Sequence, residues 1–129
     1  MERLTLKYET AVKALNRLKD ILSNKKTDII RDAAIQRFEF TFEAHWKFIS
    51  QYLREKEGVV ENSPKACFRE LLSLGKVTSD EATKLLEMTD RRNETSHTYN
   101  EDLAEKIYSE LPEYRDLMGK VLDLLKDRI

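Results

Sequence analysis

An arginine, a histidine and a tyrosine lie close together in the segment Arg92-Asn93-Glu94-Thr95-Ser96-His97-Thr98-Tyr99. Arginine keeps its positive charge at any physiological pH, and histidine is the side chain that most readily exchanges protons near neutrality. Cleaving RNA without a metal needs both functions. A base takes the proton of the ribose 2′-hydroxyl, and a fixed cation stabilises the charge on the pentavalent phosphate. Residues at such spacing more often lie on the surface without a catalytic role. The rest of the sequence is therefore needed to distinguish the two interpretations.

The spacing of Arg92 and His97 is a geometric problem for one regular helix. Five residues apart, the two side chains would point about 140° away from each other. Two arrangements would bring them to one phosphate. Either the helix ends inside Glu94-Thr95-Ser96, whose helix propensities are mixed, or two subunits each supply part of the site. The spacing leaves both arrangements open.

Other candidate residues favour structural roles. His45 and Trp46 are neighbours without spaced partners, so we expect them to pack. Glu39 and Glu43 lie one helical turn apart, and we interpret them as a solvated or interfacial edge. We expect Cys67 to be a small buried residue. Metal-ligand spacing, a phosphate-binding glycine loop and a nucleophile elbow are all absent from the sequence, so we expect no cofactor and no metal.

Length and charge narrow the class of protein. The 129 residues predict one domain, 1–129, and the formal charge of −1 argues against non-specific coating of nucleic acid. A local basic cleft is still expected from Lys65, Arg69, Arg91 and Arg92. We expect a soluble cytoplasmic protein with no membrane partner. This expectation rests on the lone cysteine, on the start Met1–Leu4 without an apolar run, and on the lack of an apolar stretch long enough to span a membrane.

Apolar residues at helical spacing predict two long helices in the first half. The first ends near Ser23-Asn24 and carries the stripe Leu4, Tyr8, Ala11, Leu15, Leu18 and Leu22. The second begins at Asp28 as N-cap and runs to about Glu57, where Gly58 stops it. Its stripe is Ile35, Phe38, Phe42, Ile49 and Leu53, with Phe40, Ala44, Phe48 and Tyr52 beside it.

The apolar surface of the second helix is too wide for one neighbouring helix. We therefore expect the face around Phe38, Phe42 and Trp46 to lie partly against another subunit. The simpler alternative is a central helix enclosed by the core of a monomer.

Capping patterns predict the next two helices. Ser63 followed by Pro64 is typical of a helix start, and Gly75 ends this helix after Phe68, Leu71 and Leu72. Thr78 and Glu81 form the pattern of a capping box, which opens a fourth helix through Ala82, Leu85, Leu86 and Met88.

Asn100 is the expected N-cap of a last helix, and Pro112 should kink or break it. The apolar positions of this helix are Leu103, Ile107, Leu111, Tyr114, Met118, Val121 and Leu125. Short connections and so few glycines and prolines predict an all-α protein, an antiparallel bundle of about five helices.

The order Arg-x4-His-x-Tyr resembles the motif of the HEPN superfamily, whose name stands for higher-eukaryote and prokaryote nucleotide-binding domains. The chain most resembles the branch of nucleotidyltransferase substrate-binding proteins, over roughly residues 4 to 125. Beyond the motif, the resemblance rests on Ile35–Glu43 with Trp46-Lys47, on Ser63-Pro64-Lys65, on Glu87-Met88 and on Ala104–Tyr108.

This resemblance implies a HEPN-like helical bundle that forms a homodimer or higher even oligomer, with the motifs facing one cleft. It implies a metal-independent endoribonuclease that leaves a cyclic phosphate. By position, His97 would be the general base or acid, Arg92 the transition-state clamp, and Asn93 the group that orients His97 or a phosphate. A partner minimal nucleotidyltransferase would silence this toxin by transferring AMP to Tyr99.

The same resemblance leaves a second function open. The chain would then be a non-catalytic subunit that presents substrate to the nucleotidyltransferase, and the motif would serve recognition only.

Overall fold

Five α-helices make up most of residues 2–129, the part of the chain that the computed structural model describes. They are α1 (Glu2–Leu22), α2 (Asp28–Tyr52), α3 (Pro64–Ser73), α4 (Ser79–Glu94) and α5 (Glu101–Lys126); a π-helix (Leu53–Glu57) extends α2, and a 3₁₀ helix (Thr95–His97) follows α4. The all-α bundle is confirmed, with no strand in the described residues. Met1, with which both the predicted domain and the N-terminal stretch begin, lies outside them.

Side-chain caps begin three of the helices as predicted. The Ser63 hydroxyl accepts the Ala66 N–H at 3.3 Å, and the Asn100 side chain accepts the Leu103 N–H at 3.1 Å. Thr78 and Glu81 form a reciprocal capping box, with bonds of 2.9 and 3.1 Å between the side chain of each and the backbone N–H of the other. These bonds satisfy backbone donors that a helix start leaves free, and each cap stabilises its helix by about 1 kcal/mol.

The ends of α2 differ slightly from the prediction. Thr27, and not Asp28, is the N-cap, because its hydroxyl accepts the Ile30 N–H at 3.1 Å. Asp28 is the first helical residue instead, where its negative charge favours the helix N-terminus. At the other end the last turn widens into the π-helix. Gly58, with a φ of 66°, ends this helix, as predicted.

Helix α2 is the centre of the core. The ring of Phe38 stacks on Tyr114 of α5 at 6.0 Å, and Phe42 meets Phe68 of α3 edge-to-face at 6.1 Å. Phe38 is fully buried and Phe42 is 1% exposed within this one chain. The expectation that these two residues lie against another subunit is therefore wrong. Short connections fold the other helices around α2, so its wide apolar surface is used inside the bundle.

A second, outer face of α2 is only partly covered within the chain. Ile29 is 80% exposed, and Phe40 is half-buried with the Arg17 guanidinium 4.9 Å from its ring centre. Ala33 and Gln36 lie between them at helical spacing, so the four residues form one stripe. Trp46 is half-buried and packs against the core.

Helix α5 continues through Pro112, so the predicted break is wrong. Leu111 and Tyr114 on either side are buried, and burying two such side chains outweighs the roughly 3 kcal/mol that an interior proline costs. The predicted apolar position Leu72 on α3 is 39% exposed and lies outside the core. None of the helices in the described residues is long and apolar enough to span a membrane.

His45 is a core residue, as expected of a packing role. It is 1% exposed, its ring lies 6.1 Å from that of Phe68, and neither ring nitrogen has a hydrogen-bond partner of normal geometry. Burial away from solvent lowers the pKa of His45 to about 3, because it disfavours the charged imidazolium. The nearby backbone of Met118 opposes this shift. The imidazole is therefore neutral in the folded chain.

The neutral His45 should make stability depend on pH. An unfolded histidine binds a proton below about pH 6.5, whereas folded His45 does not until about pH 3. The unfolded state therefore binds more protons, and the free energy of unfolding should fall by about 1.4 kcal/mol for each pH unit below 6.5. Urea unfolding between pH 7 and 5, above most carboxylate titration, measures this slope.

His45→Leu should flatten the slope, and His97→Ala, which changes an exposed imidazole, should keep it. Equal slopes for His45→Leu and the unmodified chain would show that His45 is not the group responsible.

Candidate functional site

The motif begins where α4 ends. The α-helix stops at Glu94, and Thr95–His97 continue as a 3₁₀ turn. The Thr95 hydroxyl lies 2.7 Å from the Arg92 carbonyl and 2.9 Å from Oε2 of Glu39 on α2. The backbone N–H of Thr95 also donates to the Arg92 carbonyl, three residues earlier, so the chain tightens here from an α-helix into a 3₁₀ turn. The helix thus ends inside Glu94-Thr95-Ser96, one of the two predicted arrangements.

The Arg92 guanidinium points at α2. Its Nη1 lies 3.6 Å from Oε2 of Glu39, and its Nη2 lies 3.6 Å from Oε1 of Glu43. Nη1 also donates to the Thr95 hydroxyl at 3.2 Å, while the buried Nε has no hydrogen-bond partner among the described residues. Two carboxylates therefore neutralise one cation, and the arginine side chain is held in place.

The role of Glu39 and Glu43 differs from the solvated or interfacial edge that their spacing predicts. Both are half-buried and face Arg92, and Oε2 of Glu43 also accepts the indole N–H of Trp46 at 3.1 Å. The available signal was a pair of acids at spacing four within a helix of high aromatic content. An open groove of about 310 Å³ runs over this cluster, lined by Gln36, Glu39, Phe40, Glu43 and Arg92.

His97 and Tyr99 form a second, exposed group. Nδ1 of His97 lies 3.3 Å from the Tyr99 hydroxyl, and the rings meet edge-to-face at 5.9 Å. Tyr99 is 82% exposed and therefore lies outside the core. Asn93 is also exposed, and no hydrogen bond joins it to His97 within residues 2–129. His97 is not among the residues that line the Arg92 groove, and no hydrogen bond joins Arg92 to His97 within residues 2–129.

An ion-pair cluster around the buried Arg31 fixes the chain just after the motif. Arg31 on α2 is 3% exposed, and its Nη1 lies 3.1 Å from both Glu101 and Glu105 in the first turns of α5. These carboxylates, with Asp32 beside them, raise the pKa of Arg31 far above its usual value. The cluster ties the start of α5, and so the cap residue Asn100, to α2.

The expected basic cleft does not form in the described chain. Lys65 pairs with Asp90 at 2.7 Å, and Arg91 pairs with Glu94 at 2.6 Å and with Glu110 at 2.9 Å. Only Arg69 of the four predicted cations has an exposed side chain without an ion pair among the described residues. The local sequence concealed these pairs because most of the partner carboxylates lie well away along the chain.

Donor sets for a metal are not found among residues 2–129, where no three His, Cys, Asp or Glu side chains converge. Cys67 is fully buried on α3, as predicted, and burial raises the pKa of its thiol to about 11. A thiol of that pKa is protonated at neutral pH and is a poor nucleophile.

Several known proteins are similar to this chain in sequence or in fold. A family model described as nucleotidyltransferase substrate binding protein like matches residues 6–127. A Haemophilus influenzae protein named as a probable ribonuclease HepT is 28% identical over 105 residues, which cover 78% of this chain and 70% of that protein.

Two solved structures superpose closely. A crystal structure from Thermus thermophilus has a TM-score of 0.86 and 48% identity, and the match covers 89% of this chain and 98% of that one. A tri-AMPylated HEPN toxin from Shewanella oneidensis, in complex with its MNT antitoxin, has a TM-score of 0.73 and 18% identity, with 96% of each chain covered. The family match spans nearly the whole chain. This protein therefore belongs to the nucleotidyltransferase substrate-binding-like family and has the helical fold of the HEPN proteins.

Proposed function

We propose that this chain is a HEPN-type ribonuclease toxin that cleaves RNA without a metal ion, and that a minimal nucleotidyltransferase antitoxin neutralises it in the cytoplasm. The observation that carries the proposal is the end of α4 between Arg92 and His97, after which an exposed imidazole and phenol follow in sequence an arginine held against α2. The relative named as a probable ribonuclease supports it.

The proposed chemistry is an internal transesterification. His97 takes the proton of a ribose 2′-hydroxyl, whose oxygen attacks the adjacent phosphorus. The bond from phosphorus to the 5′-oxygen breaks, the leaving oxygen takes a proton, and a 2′,3′-cyclic phosphate remains. Arg92 stabilises the extra negative charge of the pentavalent phosphate, and Asn93 orients the phosphate or the imidazole.

A second copy of the chain completes this proposed site. His97 does not line the groove that contains Arg92, so a two-fold dimer that brings the two motifs together would supply both groups to one phosphate. The outer stripe of α2, which includes the exposed Ile29 and the half-buried Phe40, is an apolar surface suited to such a contact. Two motifs also bring two arginines to the cleft, which raises the local potential of a chain of charge −1.

One observation favours a second candidate function, a substrate-binding subunit without catalysis. Glu39 and Glu43 neutralise Arg92, and the family description names substrate binding for a nucleotidyltransferase. The motif would then recognise a ligand for the partner enzyme. Cleavage of RNA by the purified chain separates the two candidates.

Arg92→Ala and His97→Ala should each lower the rate of RNA cleavage by about 10²-fold or more, because each removes a group that acts only in the transition state. The cleavage rate of a labelled RNA measures the effect, and far-UV circular dichroism should show an unchanged helical fold. A chelator should leave the unmodified chain fully active.

Ser96→Ala is the matched control, since Ser96 is exposed in the same turn and has no proposed role. Near-native cleavage by either alanine variant, or loss of activity with the chelator, would refute the mechanism.

Tyr99 is the proposed point of control. Its hydroxyl is exposed and lies 3.3 Å from the His97 ring, so a group attached to it would lie against the imidazole. We propose that the partner enzyme joins the Tyr99 oxygen to the α-phosphorus of ATP. Pyrophosphate leaves, and the phenol proton passes to solvent. The AMP would then block the RNA phosphate by volume and by negative charge. AMPylation of the Shewanella oneidensis toxin supports this proposal.

Incubation of this chain with its nucleotidyltransferase, ATP and Mg²⁺ should add AMP mass to the peptide that contains Tyr99. Tyr99→Phe removes the acceptor oxygen and disturbs little packing, so it should block modification and leave a nuclease that the partner no longer silences covalently. Tyr108→Phe, a change at a half-buried tyrosine, should be modified like the unmodified chain. Unchanged modification of Tyr99→Phe would place the acceptor elsewhere.

A further inference from the structure

A basic depression lies at the end of α2 away from the motif. It encloses about 150 Å³ between α1, the last turns of α2, the π-helix and the loop that follows. Three cations, one indole, three neutral polar side chains and no carboxylate line it, namely Lys7, Trp46, Lys47, Ser50, Gln51, Arg54 and Asn62.

The cations of this depression are free of ion pairs. None of Lys7, Lys47 and Arg54 lies within ion-pair distance of a carboxylate in the described part of the chain, whereas Lys65 and Arg91 do. Unpaired charges of one sign around a concave surface give a positive potential, even on a protein whose charges nearly cancel. An anion is therefore the ligand that this surface favours.

The depression and the Arg92 groove share one face of α2. Glu43, Lys47, Ser50 and Arg54 follow at spacings of four, three and four, so they lie along one side of the helix. Trp46 joins the two sites, because it lines the depression and its indole N–H donates to Glu43 in the groove at 3.1 Å. Eleven residues separate Glu43 from Arg54, which is about 16 Å along the helix.

The size of the depression limits what it can hold. Its 150 Å³ is below the roughly 300–1,000 Å³ of pockets that enclose whole small-molecule ligands. It accommodates a phosphate or a sugar–phosphate unit. An extended polyanion that continues towards the Arg92 groove would use both surfaces, and proteins that bind single strands combine cations with aromatic rings in this way.

We propose that the depression of Lys7, Lys47 and Arg54 binds the phosphodiester backbone of single-stranded RNA and guides the strand to the Arg92 groove. The Trp46 indole provides the apolar contact for a ribose or base between the two sites. The assignment of RNA as the ligand rests on the proposed ribonuclease function, while the anion site rests on the geometry above.

Binding of a short single-stranded 2′-O-methyl oligonucleotide to the unmodified chain tests this proposal. The blocked 2′-oxygen prevents the proposed cleavage, and the fluorescence of Trp46, the single tryptophan of the chain, reports binding. Lys47→Ala combined with Arg54→Ala should weaken binding about tenfold or more at low salt. Loss of two phosphate contacts should also reduce the slope of log affinity against log salt by about 1.4.

The matched control is Lys19→Ala combined with Arg115→Ala, which removes the same charge from a different depression that also contains Asp116 and Asp123. It should bind almost as the unmodified chain does. Equal binding by the Lys47 and Arg54 variant, or equal weakening by the control, would overturn the proposal. So would inorganic phosphate that changes Trp46 fluorescence at the same concentration as the oligonucleotide, because the site would then be one for small anions.

The experiments distinguish failure of the proposed ribonuclease function from failure of the proposed RNA-binding site. A chain that binds the oligonucleotide through Lys47 and Arg54 but cuts no RNA refutes the ribonuclease and leaves the binding site in place. A chain that cuts RNA while Lys47→Ala with Arg54→Ala changes no binding refutes this site alone.

Discussion

The contact between Thr95 and Glu39 determines how the motif is presented. Thr95 is 5% exposed, and its hydroxyl has one proton to donate, so it serves the Glu39 carboxylate or the Arg92 carbonyl while accepting from the Arg92 guanidinium. This network joins the end of α4 to α2 and holds Arg92 over α2, and the residues that follow the 3₁₀ turn lie in solvent. The exposure of His97 and Tyr99 is a consequence of where that helix is made to stop.

Helix α2 anchors the motif from both sides. Glu39 holds the end of α4, and Arg31, eight residues earlier, holds the start of α5 through Glu101 and Glu105. The two anchors are about 12 Å apart along a helix that is itself the centre of the aromatic core. Because α2 is fixed by packing on its inner face, its polar residues position the motif accurately. A change deep in the core that shifts α2 would therefore reach the site without touching it.

Local sequence patterns predicted the helices. They did not predict the contacts between residues that are far apart in the sequence. The Thr78 capping box and the Gly58 stop depend on residues a few positions apart, so their patterns are visible in the sequence. Phe38 is buried within one chain because several helices pack around α2. The spacing of apolar residues does not indicate how many helices those are. The spacing of four marks Glu39 and Glu43 as a pair of acids, but Arg92 lies 53 positions from Glu39, and spacing within one sequence does not indicate which residue is their partner.

The central claim is that Arg92 of one chain and His97 of another act on the same phosphate, because His97 does not line the groove that contains Arg92 of its own chain. Mixing two inactive variants, Arg92→Ala and His97→Ala, tests it directly. A mixed dimer contains one intact composite site, and random exchange makes half of the dimers mixed, so cleavage should return to about a quarter of the unmodified rate. If differently tagged chains form mixed dimers and cleavage remains absent, the two residues do not act across subunits and the shared site is wrong.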